Sequence, residues 1–445
     1  MYFEVAKGIV HIKKIIMAVA PSQLVSTVFE KLIVKPSFPT PFPLKYHKLS
    51  FIDQSLSHLY IPLVFFFSKQ QEEVNNKISG IHDVDQVAHR LQNSLATTLS
   101  AYYPYAGSMR DSAMIECNDR GIEFLNVQIK CPMSEMLNNP HDYAEGNIFM
   151  KDLPWKNSFH GSLLVAQLSH FDCGGIAISV CLSHKVGDGG SMASFFYDWA
   201  KVTRNPNQIP RPKFIGDTFF PTPNGPLMAP LIDSKLAKCV HKKFHFSASK
   251  LQALRAIIAA EAGIKNPTRA EVVSAILFKS ATKAASKINN TSFRPSKLIN
   301  YVDIRPITTP PLSRNFIGNL ITVTSTSASH DEEMKLPRLV REVRKEFELL
   351  FKNDPVQHNL LVLKLLETME SPNAEDEFDT YYCSNMCKFS ERVCAPMGPF
   401  KNFFILSADR SMDGIEAMVT LEEQHMLAFE CDEELLEYAS PISRF

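Results

Sequence analysis

The chain reads as an α/β (α+β) protein built from two layered domains. Three observations predict this. Its 445 residues exceed the roughly 250–300 at which a single hydrophobic core stops growing. Stretches with helical and with strand periodicity are mixed along it without regular βαβ alternation. Residues 205–230 carry seven prolines and three asparagines, a composition that suits a long crossover between domains rather than a core segment.

The elements follow in order. The first 16 residues, MYFEVAKGIVHIKKII, are apolar with three lysines but lack the charge-first, small-residue-last order of a secretory signal. They read as an extension outside the fold, with Met17 as a second start. Residues 84–101 place Val84, Val87, Leu91, Leu95 and Leu99 on one face, which is helical spacing. Pro104 and Gly107 then break the helix and turn the chain. Residues 161–168 and 175–182 are short apolar runs that read as buried strands joined by a turn at 171–175. A glycine-rich stretch, SHKVGDGG, leads into an aromatic helix at 191–202.

Beyond the crossover, 247–263 and 268–287 read as helices. Thr268 with Glu271 three residues on is a capping-box pattern. Strands are expected near 297–304 and 319–327. A helix over 335–352 is predicted by Leu336, Leu339, Val340, Val343, Phe347 and Leu350, and a closing strand pair by 402–408 and 415–421. The domain division expected is 17–204, a crossover at 205–240, and 241–445.

Composition excludes several partners. Lysine plus arginine and aspartate plus glutamate are equal at 47 each, so no net charge draws the chain to nucleic acid or an anionic membrane. No stretch approaches the roughly 20 apolar residues that span a bilayer. Nine scattered cysteines without a secretory signal read as reduced thiols in a cytoplasmic protein. Cys383, Cys387 and Cys394 fit no common zinc-ligand spacing, and no metal is expected. The partner expected is a small, largely apolar molecule, and the chain is expected to be a monomer.

The motifs of dinucleotide sites, P-loops, zinc proteases and G-x-S-x-G hydrolases are absent from the sequence. What remains is His184-Lys-Val-Gly-Asp188. A His four residues before an Asp arises easily by chance among 14 histidines. Its setting is more informative, because His184 leaves a buried strand and enters a turn with Gly187, Gly189 and Gly190. A neutral imidazole there would serve as a proton acceptor near pH 7. On position alone, a histidine that merely ends the strand reads equally well.

Six separated segments then point one way. They are KPSFPTPFPLKYHKLSFIDQSL (35–56), LSAYYPYAGSM (99–109), SHKVGDGGSMASFFYDWA (183–200), YVDIRP with NFIGNL (301–306 and 315–320), and DGIEAMVTLEEQHM (413–426). Together they resemble the plant BAHD acyltransferase family and its H-x-x-x-D motif, and within it the alkaloid O-acetyltransferase branch that includes vinorine synthase. The resemblance implies two similar-sized domains of chloramphenicol acetyltransferase-like fold, each a mixed sheet with flanking helices, with a channel between them.

The resemblance also implies an activity. Acetyl-CoA or another acyl-CoA would donate an acyl group to the hydroxyl or amine of an alkaloid or related metabolite. His184 would be the general base, and Asp188 would pair with Arg305 to hold the turn. Gly318, Asn319 and Ser274 would face the donor. One departure stands out: the family's D-F-G-W-G is missing between Phe389 and Phe400, where the chain reads SERVCAPMGP. The expectation that follows is a more open donor side. An enzyme that keeps His184 for proton abstraction in a cyclisation, elimination or isomerisation, or a binding protein without turnover, is the alternative.

Overall fold

The computed structural model describes residues 26–56, 59–68, 84–138, 148–150, 161–221, 239–289, 293–352, 378–388, 401–409 and 411–442. In the first half the strands are β1 (Ser26–Val34), β2 (Tyr46–Lys48), β3 (Tyr60–Phe67), β4 (Ser108–Asp111), β5 (Met114–Glu116), β6 (Ile122–Ile129), β7 (Leu164–Phe171), β8 (Ile176–Ser183) and β9 (Lys213–Phe214). Its helices are α1 (Phe51–Ser55), α2 (Val84–Ala101), α3 (Met133–Asn138) and α4 (Gly189–Arg204). The main sheet runs β1-β6-β7-β8-β3, mixed because only β6 and β7 pair in parallel.

Strand alternation builds two cores from this one sheet. Leu164, Ala166, Leu168, Val180 and Leu182 face α2 and α4, meeting Leu95, Leu99, Phe195 and Trp199. Val165, Ala177 and Cys181 face the opposite way, onto Met133, Met136 and Phe149. Covered on both sides, β7 is buried at every position. That explains its unbroken apolar reading.

In the second half the strands are β10 (Cys239–Phe246), β11 (Ser296–Asp303), β12 (Phe316–Ile317), β13 (Ile321–Ala328), β14 (Asp379–Asn385), β15 (Phe403–Ala408), β16 (Ile415–Glu422) and β17 (Ser440–Pro441). The helices are α5 (Ala248–Ala262), α6 (Arg269–Ile288), α7 (Leu336–Lys352), α8 (Glu423–Phe429) and α9 (Glu433–Tyr438). The sheet order is β13-β11-β14-β15-β16-β10-β17. It too is mixed, with β14 parallel to both neighbours. Its helix-facing side buries Leu298, Tyr381, Phe404 and Val419 against Leu277, Phe278, Leu339 and Val343.

The predicted helices and strands are present, with ends moved by a few residues. Of the first strand pair, β7 lies three residues and β8 one residue later than the apolar runs suggest. The aromatic helix starts at Gly189 because Asp188 caps it. Within the crossover, β9 pairs in parallel with β12 in a separate two-stranded sheet. Strands β14 and β15 pair in parallel, Tyr382–Asn385 against Phe403–Leu406. Residues 390–399, where D-F-G-W-G is missing, lie outside the described residues, as do residues 1–16 and Cys394.

The capping box at α6 is formed. The Thr268 hydroxyl accepts from the Glu271 N–H at 3.2 Å, and Glu271 Oε2 accepts from the Thr268 N–H at 2.6 Å. Glu271 also takes both Nε and Nη2 of Arg344, tying α6 to α7. Thr268→Ala is expected to cost about 1 kcal/mol of stability. Glu271→Ala is expected to cost more, because it also strands Arg344. Chemical denaturation of both variants measures the order, and equal losses would show that the helix–helix tie contributes nothing.

Candidate active site

Strand β8 ends in register, and the next residue, His184, donates its backbone N–H to the Leu59 carbonyl at 2.7 Å. The chain then turns tightly, with Val186 N–H bonded to the Ser183 carbonyl. The turn admits no side chains at two glycines. A Cβ on Gly187 would lie 2.7 Å from Ser191 Cβ, and one on Gly190 would lie 2.9 Å from Arg305 Nη1. The glycine richness of the motif therefore reflects a turn packed from both sides.

Asp188 closes the turn. Its Oδ1 accepts from the Ser191 N–H at 2.8 Å and from Arg305 Nη2 at 3.0 Å. Its Oδ2 accepts from Arg305 Nη1 at 2.8 Å and from the Leu320 N–H at 3.0 Å. Asp188 and Arg305 are 2% and 4% exposed, so the bidentate pair is buried and both carboxylate oxygens are fully used. Burial alone would raise the Asp188 carboxyl, but Arg305 and the two backbone donors outweigh it and hold it below its usual value. Arg305 also donates to the carbonyls of Phe316 and Gly318 and to Ser191 Oγ. The aspartate is spent on holding the two halves together.

The imidazole is held from the second half. His184 Nδ1 lies 3.0 Å from Asn319 Oδ1. The amide cannot be turned the other way, because its Nδ2 donates to the His184 carbonyl at 2.6 Å and to Asp53 Oδ1 at 2.8 Å, and a carbonyl only accepts. Oδ1 is therefore the atom facing the ring, and Nδ1 must carry the proton that it accepts. The ring's other nitrogen, Nε2, is left with a lone pair. Burial lowers the imidazole pKa, with Lys185 acting in the same direction and the hydrogen bonds and Asp188 opposing it. The half-buried ring is thus a neutral base of fixed tautomer.

Behind Asn319 stands Asp53, 1% exposed on α1. Four donors converge on its carboxylate: Ser50 N–H and Oγ at 3.0 and 2.7 Å, and Asn319 N–H and Nδ2 at 2.8 Å each. Burial pushes this carboxyl up and the four donors oppose it. The sequence offered one signal for it, its place in the LSFIDQ segment of the resemblance, but no role.

The other sequence-predicted residues are placed as follows. Gly318, at φ +138°, has its N–H and carbonyl both bonded to Ser191 Oγ. Asn319 is committed to His184 and Asp53. Ser274 is buried in α6 and donates to the Glu271 carbonyl of its own helix. The structure thus joins His184, Asp188, Arg305, Gly318 and Asn319 in one network, while Ser274 bonds within its own helix. No group of three or more His, Cys, Asp or Glu side chains able to hold a metal occurs among the described residues. No described helix is long and apolar enough to cross a membrane.

Comparison with known proteins gives a consistent result. The model of the Transferase family matches residues 25–391. Acyltransferase Pun1 of Capsicum frutescens is 48% identical, covering 94% of this chain and 98% of its own. Deacetylvindoline O-acetyltransferase of Catharanthus roseus is 33% identical, covering 92% of this chain and 97% of its own. The crystal structure of vinorine synthase superposes with a TM-score of 0.78 at 25% identity, covering 94% of this chain and 99% of that one. That superposition extends the likeness to the two-domain arrangement of the fold.

Removing one partner of a buried ion pair leaves the other charge uncompensated, at a cost of about 3–5 kcal/mol. Asp188→Ala is therefore expected to lower the melting temperature by several degrees as well as the turnover. Loss of turnover at an unchanged melting temperature would show that Asp188 acts on substrate rather than on the fold.

Proposed function

Taking as premise that this chain belongs to the Transferase family, the BAHD acyltransferases, and is an acyl-CoA-dependent acyltransferase, we propose that it moves an acetyl group from acetyl-CoA to a hydroxyl of a small alkaloid-type alcohol, with His184 as general base. The observation that carries this reading is the free lone pair on His184 Nε2, left over once Asn319 has taken the proton side of the ring. The donor and acceptor classes are supported by relatives named O-acetyltransferases, among them those for deacetylvindoline and minovincinine 19-hydroxyl.

The chemistry needs one base and no covalent enzyme intermediate. Nε2 removes the acceptor hydroxyl proton as its oxygen attacks the thioester carbon. The tetrahedral intermediate collapses, the C–S bond breaks, and the imidazolium returns the proton to the departing sulfur. The products are the ester and free coenzyme A, so atoms and protons balance. The imidazolium that exists between these steps is stabilised by the Asn319 carbonyl oxygen on Nδ1–H. Asp188 and Arg305 maintain the turn without touching the reactants. Residues 17–204 and 241–445 are proposed as the two domains, with 205–240 between them.

Turnover of a panel of acyl-CoAs against alkaloid alcohols tests the substrate classes. His184→Ala is expected to reduce turnover by about 10²–10⁴-fold while binding of coenzyme A, followed by calorimetry, persists. Because burial lowers the imidazole pKa, activity should fall only as the pH drops below the ordinary histidine value of about 6.5. Near-normal turnover in the variant would remove His184 from the mechanism.

A further inference from the structure

Lys185, the residue after the proposed base, is 0% exposed. A fully buried lysine is uncommon and calls for compensation. Its Nζ donates to the carbonyls of Gln54 at 2.9 Å and Asp53 at 3.3 Å. Both carbonyls belong to the last turn of α1, where the helix itself supplies no N–H to meet them and the helix dipole is negative. The ammonium thus fastens the turn carrying His184 to the helix carrying Asp53, and Asp53 in turn fixes the amide that orients His184.

The charged and titratable groups around the ring come from four places. Asp53 lies on α1, Lys185 and Asp188 on the turn itself, Arg305 after β11, and Tyr105 beside Gly187. Burial pushes the Tyr105 phenol well above its usual value, so it stays neutral. Asp303 pairs with Arg305 from a half-exposed position. The fully buried charges are two carboxylates and two cations, which cancel while His184 is neutral. Protonating His184 would leave this cluster with an excess positive charge.

We infer that Lys185 is a positioning residue for the acyl transfer: its buried ammonium pins the histidine turn to α1 and biases His184 toward the neutral, proton-accepting form. This rests on the reading of His184 as general base. Burial lowers the ammonium's own pKa to about 8, against the pull of Asp53, so it is charged across the range in which the histidine titrates. With the charge removed, the histidine should accept a proton more readily.

The test is the pH profile of kcat/KM for the full-length enzyme and for Lys185→Met and Lys185→Gln. Gln keeps a donor for the α1 carbonyls but not the charge. In both variants the acid limb should move to higher pH by about half a unit or more. Rates near pH 6 should therefore fall more than rates near pH 8. Where a variant turns over too slowly, the pH dependence of diethyl pyrocarbonate modification at His184, mapped by mass spectrometry, reads the same midpoint. An acid limb in its wild-type place in both variants, with only the plateau lowered, would overturn the inference and leave the base reading standing. A wild-type profile with no acid limb would overturn both.

Discussion

The buried pair of Asp188 and Arg305 is the constraint on which the site depends. Asp188 ends the turn of the first half and caps α4, while Arg305 follows β11 of the second half. Between them they also collect the carbonyls of Phe316 and Gly318 and the N–H of Leu320. The Phe316 carbonyl and the Leu320 N–H take their bonds from this pair, and leaving such a group without a partner where the two halves meet costs about 1–3 kcal/mol. One guanidinium and one carboxylate thus take up backbone groups at both ends of residues 316–320, while Ser191 and Asp53 take the N–H groups of Gly318 and Asn319 between them. Asn319 is presented to His184 because that stretch is held in this way.

Two kinds of order meet at the histidine. Its position comes from the first half, through β8 and the bond to Leu59. Its tautomer comes from the second half, through Asn319. The amide can play this part because it is itself oriented by an atom that only accepts, the His184 carbonyl, and by Asp53 behind it. The reason for a carboxylate in a buried place on α1 is then chemical rather than a matter of packing. It fixes an amide, the amide fixes a proton, and the proton's place leaves the base free on the other nitrogen.

Much of this was legible in the sequence where a period or a motif carries it. The helices α2 and α7 show their apolar faces in Leu91, Leu95 and Leu99 and in Leu339, Val340 and Val343, and those residues are the ones buried. The capping box of Thr268 is local and therefore readable. Strands of two to four residues, such as β2, β9 and β12, are too short to show alternation, and their existence depends on partners far away in the chain. Asp53 and His184 are 131 positions apart, and no local pattern joins them. Asn319 was readable only through the family resemblance, and in the role of facing the donor. Lys185 reads in sequence as a polar residue of a glycine-rich turn. Its burial follows from where α1 ends, which the sequence near it does not encode.

The site therefore lies on a seam, with the base on one side and the group that sets its protonation on the other. A site built this way depends on the pairing of the halves more steeply than the fold does. A small separation would break the bonds of Asn319 to His184 and Asp53 together with those of Asp188 to Arg305 and Leu320. It would release the Asn319 amide, free the imidazole to take either tautomer, and admit water that weakens the interactions among the clustered charges. Close packing around Gly187 and Gly190 fixes the turn itself, since a Cβ at either position would meet Ser191 or Arg305. The glycines, the ion pair and the orienting amide are three answers to one requirement, which is that a neutral imidazole keep a single proton in a single place while both halves supply its surroundings.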